Sequence, residues 1–373
     1  MTIEFELKNS IVDIARTDWQ NLVGSQVFAS YDFLSALENS RSVGADTGWQ
    51  PLYITSSQDG KLTGAISLWI KSHSYGEYVF DHAFADAYAR SGIDYFPKLL
   101  AATPFTPVND TRIFACDEAT KAQLISVALQ IGAQNGMSSL HFNFSTDEIA
   151  SKTLLERHSV QYHFTNKNYS SFDDFLANLS ASKRKNIRKE REAVKAHGLD
   201  IQIKLGHELT AEDWDCFWNC YQDTGARKWG APYLTRAFFD DISQSMKDSI
   251  VMMVAYKGQT PIACALNFKE KERLLGRYWG CLEEYKYLHL ELCYYLAIEY
   301  AITNHISLVE AGAQGEHKIA RGYAPVITKS YHHFYEPQFQ KVIKRFMKAE
   351  QRDLAHYVED ASAHLPFKKD NIS

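Results

Sequence analysis

The stretch IVMMVAYKGQTPIACALNFKEKERLLGRYWGC, residues 250–281, decides the fold class. Ile250–Tyr256, Thr260–Lys269 and Arg273–Cys281 are runs rich in β-branched, aromatic and other apolar residues, and Lys257-Gly258-Gln259 is a turn between the first two. Three consecutive strands with such short joins form an antiparallel run. Leu290–His305 follows as a long helix, with Leu292, Leu296, Tyr300 and Ile302 among its apolar positions, and Ser307–Glu310 as a further strand; His332–Phe334 lies in another. Upstream, Phe172–Leu179, Ser182–Ala196, Ala211–Thr224 and Arg236–Met246 read as helices and Leu199–Lys204 as a strand.

The first part of the chain has the same rhythm. Tyr31–Glu38 is predicted helical, Gln50–Ser56 and Gly64–Ser72 are predicted strands, and Tyr75–Asp81 extends the sheet. Tyr95–Ala102 is predicted as a short helix, Arg112–Ala115 as a strand, Glu118–Asn135 as a strong helix and Leu140–Phe144 as a strand. Both halves order their elements alike, which signals an internal duplication carried by element order and not by sequence identity. The expected architecture is α/β (α+β) with mixed, largely antiparallel sheets. Its domains are 1–168, 169–338 with a basic helix at 182–197, and a C-terminal helix with a polar tail at 339–373.

Composition narrows the class. The chain has 373 residues, 45% hydrophobic and 23% charged, which excludes disorder on a large scale. A net charge of −5 excludes a basic field over the whole surface for nucleic acid. The longest stretch without Asp, Glu, Lys or Arg, Ala122–Thr146, contains Gln, Asn, Ser and Gly and does not read as a lipid-facing helix. The start, MTIEFELKNSIVDIARTDW, lacks an apolar core for a signal peptide, so a cytoplasmic location is expected. The cysteines at 116, 216, 220, 264, 281 and 293 form no CxxC and are expected to be reduced; Cys216 and Cys220 read as a buried helix face. No metal site is expected.

Five stretches can carry chemistry. Glu310–Pro325 (EAGAQGEHKIARGYAP) leaves the C-terminal end of a predicted strand, where α/β folds place ligands. It sets Gln314, Glu316, His317, Lys318 and Arg321 among three glycines. An acid or imidazole here can take a proton from an attacking amine, and the cations with backbone N–H groups can hold an oxyanion or carboxylate. The alternative is a solvated loop in which Glu316 pairs with Lys318 or Arg321. Ser182–His197 (SKRKNIRKEREAVKAH) places Arg184, Arg188, Arg191 and Lys195 on one helical stripe, fit for phosphates or simply for solvent. Thr224–Tyr233 (TGARKWGAPY) offers Arg227, Lys228 and Trp229 as recognition side chains, or a Trp closing a turn. Asp81 and His82, with Asp86, sit at the predicted exit of a strand, able to bind an amine. Cys281–Glu291 (CLEEYKYLHLE) follows Tyr278-Trp279-Gly280; His289 and Glu291 serve either an acceptor or the helix start.

Five stretches resemble a family of predicted N-acyltransferases associated with peptidoglycan biosynthesis and recognition, relatives of the FemAB aminoacyl transferases with a doubled GNAT N-acetyltransferase fold. They are Phe80–Tyr88, Tyr95–Val108, Thr224–Phe239, Tyr278–Tyr295 and Glu310–Pro325. The resemblance spans roughly residues 30 to 335 and implies two tandem GNAT-like domains. It also implies transfer of an acyl or aminoacyl group to an amine, such as a peptidoglycan precursor or another small amine or peptide. On that reading Glu316, His317 and Lys318 are catalytic. Glu310, Gln314, Arg321, Tyr323, Asp81, His82, Arg227, Lys228, Trp229, Tyr278, His289 and Glu291 bind substrate, and Arg184, Lys185 and Arg188 hold phosphate. No tightly bound cofactor is implied; acyl-CoA or aminoacyl-tRNA is the co-substrate. Residues 281–291 have acids, and no glycine, where a pyrophosphate-binding loop would lie, which tells against acyl-CoA. Two rival readings remain. One is a silent module that binds cell-wall peptides or nucleotide-linked precursors. The other is a tRNA- or anionic-lipid-binding protein in peripheral contact with a membrane through the basic helix. Oligomeric state is left open.

Overall fold

The computed structural model describes residues 3–149, 153–228, 232–312 and 315–368, with the side chains of 226–228 outside that description. Strand β1 (Glu4–Lys8) precedes helices α1 (Arg16–Val23) and α2 (Tyr31–Asn39), the hairpin β2 (Trp49–Gln58) and β3 (Lys61–Lys71), and helix α3 (His82–Arg90). Strands β4 (Lys98–Ala101) and β5 (Ile113–Ala115), helix α4 (Glu118–Gln134) and strand β6 (Ser139–Phe142) follow. Next come β7 (Leu155–Thr165), α5 (Phe172–Ala177), α6 (Ala181–Lys195), β8 (Asp200–Leu205), α7 (Ala211–Lys228) and α8 (Arg236–Ser245). The run β9 (Ile250–Lys257), β10 (Thr260–Lys269) and β11 (Arg273–Cys281) leads into α9 (Leu288–Leu290), a π-turn (Glu291–Tyr295), α10 (Leu296–Thr303) and β12 (Leu308–Glu310). β13 (Ala324–Phe334) and α11 (Pro337–Ala363) come last.

The chain divides into two compact units, 1–160 with 327–356, and 161–326 with 357–373. In the first, the sheet order is β1-β2-β3-β4-β6-β13. In the second it is β7-β12-β11-β10-β9-β8. In each unit one parallel pair interrupts antiparallel neighbours: β4 with β6, and β11 with β12. A helix joins the two strands of each pair, as a parallel connection requires. The strand closing the first sheet, β13, comes from the end of the chain, with Tyr331–Phe334 in register with Phe142–Ser139. The second sheet is closed by β7, which precedes all its helices and pairs with β12 through His163–Thr165. Sequence order therefore puts residues 327–338 in the second domain, whereas strand pairing puts them in the first unit.

Helix starts follow local chemistry. Ser30, Asp117 and Ser171 accept from the backbone N–H groups of Phe33, Thr120 and Asp174, satisfying donors that the first turn leaves open. In the first unit Leu124 and Ala128 of α4 pack on Ile54, Ile66, Leu68 and Leu99 of the sheet. In the second, Ile187 and Val194 of α6 and Ala297, Ile298 and Ala301 of α10 share a core with Val251, Met253 and Ala263. Cys216 and Cys220 are buried on the sheet side of α7. A side chain at Gly280 would put its Cβ 2.5 Å from the Cys220 carbonyl oxygen, so only glycine lets α7 lie this close to β11.

Two sequence expectations fail around one buried ion. Tyr75–Asp81 is not strand but a loop, with Gly76 and Tyr78 at φ 81° and 58°. Tyr95–Ala102 is not helix: Pro97 supplies no N–H, and Lys98–Ala101 is a strand buried on both faces. A short strand of that kind has no alternation to distinguish it from a helix segment. Lys98, fully buried, donates to Ser74 Oγ (3.0 Å), Glu77 Oε2 (2.9 Å) and Asp81 Oδ2. Those contacts turn the 74–81 loop inward. Tyr95 also donates to Asp81 (2.8 Å), and its hydroxyl meets His141 Nε2 at 3.1 Å; His141 Nδ1 meets His332 Nδ1 at 2.7 Å. Burial drives both histidine pKa values well below the usual range, so both are neutral in the fold. Lys98→Met leaves Asp81 buried without its cation and Glu77 with only the more distant Lys71 (3.9 Å). It is expected to cost about 3–5 kcal/mol in urea unfolding; a loss under about 1 kcal/mol would show that this network does not hold the unit together.

Candidate functional site

In the second unit β11 and β12 pair only from Arg273↔Leu308 to Leu275↔Glu310. β11 then runs on to Cys281 with β10 on its other edge, while the chain leaves β12 after Glu310. A crevice at the C-terminal ends of strands that part is where α/β sheets bind ligands. The first unit differs at the corresponding place. There the buried Arg112 donates to Asn143 O (2.8 Å), Thr103 Oγ1 (2.8 Å) and Val108 O (2.6 Å), filling the end of the β4–β6 pair.

The loop after β12 carries a short 3-10 turn, Glu316–Arg321, between Gly315 (φ 121°) and Gly322 (φ 93°). A Cβ at Gly322 would lie 3.0 Å from the Phe175 ring. Three buried residues pin the turn: Lys318, Ile319 and Tyr323. Lys318 Nζ donates to Gly312 O (2.9 Å), and burial lowers its pKa to about 8. Tyr323 donates to Tyr294 O (3.4 Å).

His317 is held by the π-turn. Its Nε2 lies 2.9 Å from the Tyr294 hydroxyl. Burial keeps the Tyr294 phenol protonated, and in the tautomer with the proton on Nε2 its oxygen accepts from that N–H, which leaves Nδ1 as the basic nitrogen. His289 stands 6.2 Å from His317 ring to ring, and 5.3 Å from both Trp279 and Tyr294. Burial, then the charges of Arg321 and Lys318, lower the His317 pKa. The imidazole is therefore neutral at neutral pH and can accept a proton. π-turns inside helices recur at functional sites, and this one brings Tyr294 and Tyr295 to the loop.

Arg321 is engaged elsewhere than on a ligand. It donates to Tyr295 Oη (3.0 Å), His317 O (2.7 Å) and Glu190 Oε1 (3.0 Å). Tyr295 also donates to Glu190. This knot ties the loop to α6. Of the predicted arginine stripe, Arg191 turns inward to Glu291 (2.7 Å) and Glu299 (2.7 Å) and lies over the Phe172 ring. Glu291 is thus an anchor of α6; burial raises its pKa against the pull of Arg191. Arg184 is half-buried and bonds Leu179 O (3.4 Å), Arg188 pairs with the exposed Asp173 (3.3 Å), and Lys185 is exposed.

The loop and α6 share a groove of about 400 Å³ lined by Lys183, Glu316, Ile319, Ala320, Tyr357, Asp360, Ala361 and His364. Glu316 accepts from Tyr357 (3.0 Å) and, among the described residues, does not pair within its own loop. Neighbouring Glu316 and His317 so serve different sides.

The remaining candidates scatter. Glu310 is buried, bonded to Arg273 (3.1 Å) and near His163 (3.9 Å). Tyr278 packs among Phe217, Tyr221 and Phe239, with Arg277 over its ring. Asp81 precedes α3 in the first unit instead of ending a strand, its side chain locked onto Lys98 and not capping the helix, and His82 is exposed beside it. Arg227 and Lys228 lie on the last turn of α7, with side chains outside the described residues, as are Trp229 and Gln314 altogether. The sequence reading passed over Tyr294, Tyr295, Glu190, Tyr357, Lys183, Asp360 and His364. Tyr294 and Tyr295 belonged to a quoted stretch, but no pattern in it signals a π-turn. Among the described residues no group of His, Cys, Asp and Glu could hold a metal ion.

A family model for FemAB-like proteins of peptidoglycan biosynthesis/recognition matches residues 10–369. No curated protein matches. Among solved structures, FemX is 11% identical with TM-score 0.51, over 91% of this chain and 100% of FemX. The C-terminal domain of a putative lysylphosphatidylglycerol synthetase from Agrobacterium fabrum is 9% identical with TM-score 0.52, over 87% of this chain and 93% of that one. A tandem GNAT protein from the clavulanic acid biosynthesis pathway is 10% identical with TM-score 0.44, over 90% and 99%. The fold is shared with FemX across nearly the whole chain.

A double-mutant cycle on Glu190→Gln and Arg321→Met, read by thermal unfolding, is expected to give a coupling energy of about 1–3 kcal/mol. Simple additivity would mean that the loop is not fastened to α6 by this pair.

Proposed function

Since the chain belongs to the FemAB-like family, we propose that it transfers an acyl or aminoacyl group to an amine at the second unit's loop. The observation that carries this reading is a neutral His317, steadied by the Tyr294 hydroxyl beside the parting of β11 and β12. The amine nitrogen attacks the donor's carbonyl carbon, the tetrahedral oxyanion collapses, and the C–S or C–O bond to the leaving group breaks. His317 Nδ1, the nitrogen not engaged by Tyr294, takes the proton the amine loses and returns it to the leaving group. Backbone N–H groups of the glycine-bounded turn are the candidates for the oxyanion, because Lys318 and Arg321 are committed to Gly312, Glu190 and Tyr295. The groove lies on the Glu316 side of the turn, so it suits a part of the acceptor remote from the reacting amine: Lys183 and His364 fit a carboxylate or phosphate, and Glu316 and Asp360 a second ammonium group, the pattern of a peptide or a nucleotide-linked peptidoglycan precursor.

The donor is a CoA thioester or an aminoacyl-tRNA ester. Glu283 is tied to Lys257 (2.9 Å) and Glu291 to Arg191, which removes part of the repulsion that their sequence positions suggest toward a pyrophosphate. The engagement of both loop cations also favours a second reading, a module that binds the precursor without turning it over.

Mass spectrometry of products, with a nucleotide-linked peptidoglycan precursor as acceptor and acetyl-CoA or alanyl-tRNA as donor, separates the readings. Product with either donor supports transfer. Tight calorimetric binding without product under both supports the binding module. His317→Gln is expected to lower kcat/KM by about 10²–10⁴-fold with the melting temperature unchanged; unchanged turnover would remove His317 from the mechanism. The acid limb of kcat/KM should lie below pH ~6.5, since the folded imidazole stays unprotonated below its ordinary pKa. Arg321→Gln should move that limb upward, though with a lower melting temperature from the lost tie.

A further inference from the structure

The first unit carries an exposed amphipathic face that the proposed chemistry does not use. In α11, Phe339, Ile343 and Met347 are buried, with Phe339 stacked on Tyr88 of α3 at 4.1 Å. One position round the helix, Val342 and Phe346 are 61% and 44% exposed. They lie four residues apart, so they are neighbours on the helix surface. Around them Lys341, Lys344, Arg345, Lys348 and Arg352 are all exposed, and none has an ion pair among the described residues. Of the acids near them on α11, Asp353 is exposed beyond Arg352, while Glu350 is turned inward to Arg157, which grips it through Nε and Nη2 (2.7 Å each). The same guanidinium donates to Phe80 O (2.8 Å). Phe80, itself 56% exposed, is thereby held at the Glu350 turn of α11, one turn from Phe346. The loop before it carries Tyr75 and Tyr78, also exposed.

We propose that this face, α11 with Phe80, docks on the surface of an anionic lipid bilayer. Apolar side chains in a ring of lysine and arginine fit the boundary between acyl chains and headgroups, while the cations meet the lipid charge. Cations alone would suit a polyanion such as tRNA equally well. Two large apolar side chains held out in water by the helix, with an aromatic from the next loop beside them, distinguish lipid from nucleic acid. No described helix is long and apolar enough to cross a membrane, so the contact is peripheral. The proposal stands independently of the transfer reaction, and its test needs no substrate.

The full chain is sedimented with vesicles of equimolar phosphatidylcholine and phosphatidylglycerol, and with phosphatidylcholine alone. Binding to the anionic vesicles only, weakening as salt rises, is expected. Lys344→Glu with Arg345→Glu should lower the partition coefficient more than about tenfold, each cation being worth about 1 kcal/mol near such a surface. Val342→Ser with Phe346→Ser should lower it several-fold at unchanged melting temperature. Equal binding to both vesicles, or none to either, overturns the proposal. So does binding to tRNA that the serine variant retains in full, which would mark a polyanion surface. A chain that sediments as a dimer and becomes a monomer in the serine variant overturns it too, because a second copy then covers the face.

Discussion

Two parallel strands stay paired only while both chains keep to the ladder. In the second unit that lasts from Arg273 to Leu275 on β11 and from Leu308 to Glu310 on β12. Everything at the site depends on what happens next. β11 continues because β10 supports its other edge, and β12 gives way to the glycine-bounded turn. The turn has little sheet to hold it, so its position rests on side chains: Lys318 and Tyr323 from below, Arg321 from the side. The first unit has the same parallel pair but ends it on Arg112, whose guanidinium bridges the carbonyl oxygens of Asn143 and Val108. One copy of the duplicated plan is closed by a buried cation, and the other is open.

Charges in this protein act mainly as fasteners. Lys98 gathers Glu77 and Asp81, Arg191 gathers Glu291 and Glu299, Arg157 gathers Glu350 and the Phe80 carbonyl, and Arg321 gathers Glu190 and Tyr295. Removing one partner from such a buried set leaves an uncompensated charge, which costs more than the intact pair contributes. That asymmetry explains why residues with the character of ligands are often found holding loops. Asp81, Glu291 and Arg321 are all of this kind. Against them His317 stands out. It is partly exposed, neutral, and bonded to one hydroxyl that steadies it without using its basic character.

The strands of 250–281 and the helices at 118–134 and 211–228 were legible because their apolar spacing extends over many residues, and because glycine or a polar turn marks their ends. Lys98–Ala101 was not, since a short strand buried on both faces carries no alternation. The loop 310–325 could be picked out by composition alone, glycines alternating with ionisable residues. Which of those residues face a groove and which are tied down could not, because Glu190, Tyr295 and Glu291 are far from it in sequence or hidden in an apparently regular helix. The wide turn at Glu291–Tyr295 leaves no mark in a pattern of apolar residues.

Local patterning and turn chemistry set the elements, the α/β class, the doubled plan and the loop that bears His317, since those features follow from residues near one another along the chain. Tertiary structure alone decided that β13 returns to the first sheet, that Arg191 and Arg321 are braces, and that Glu316 and His317 serve different sides. Those outcomes rest on which strand edges find partners and which buried charges find counter-ions. Both are settled only when distant segments meet.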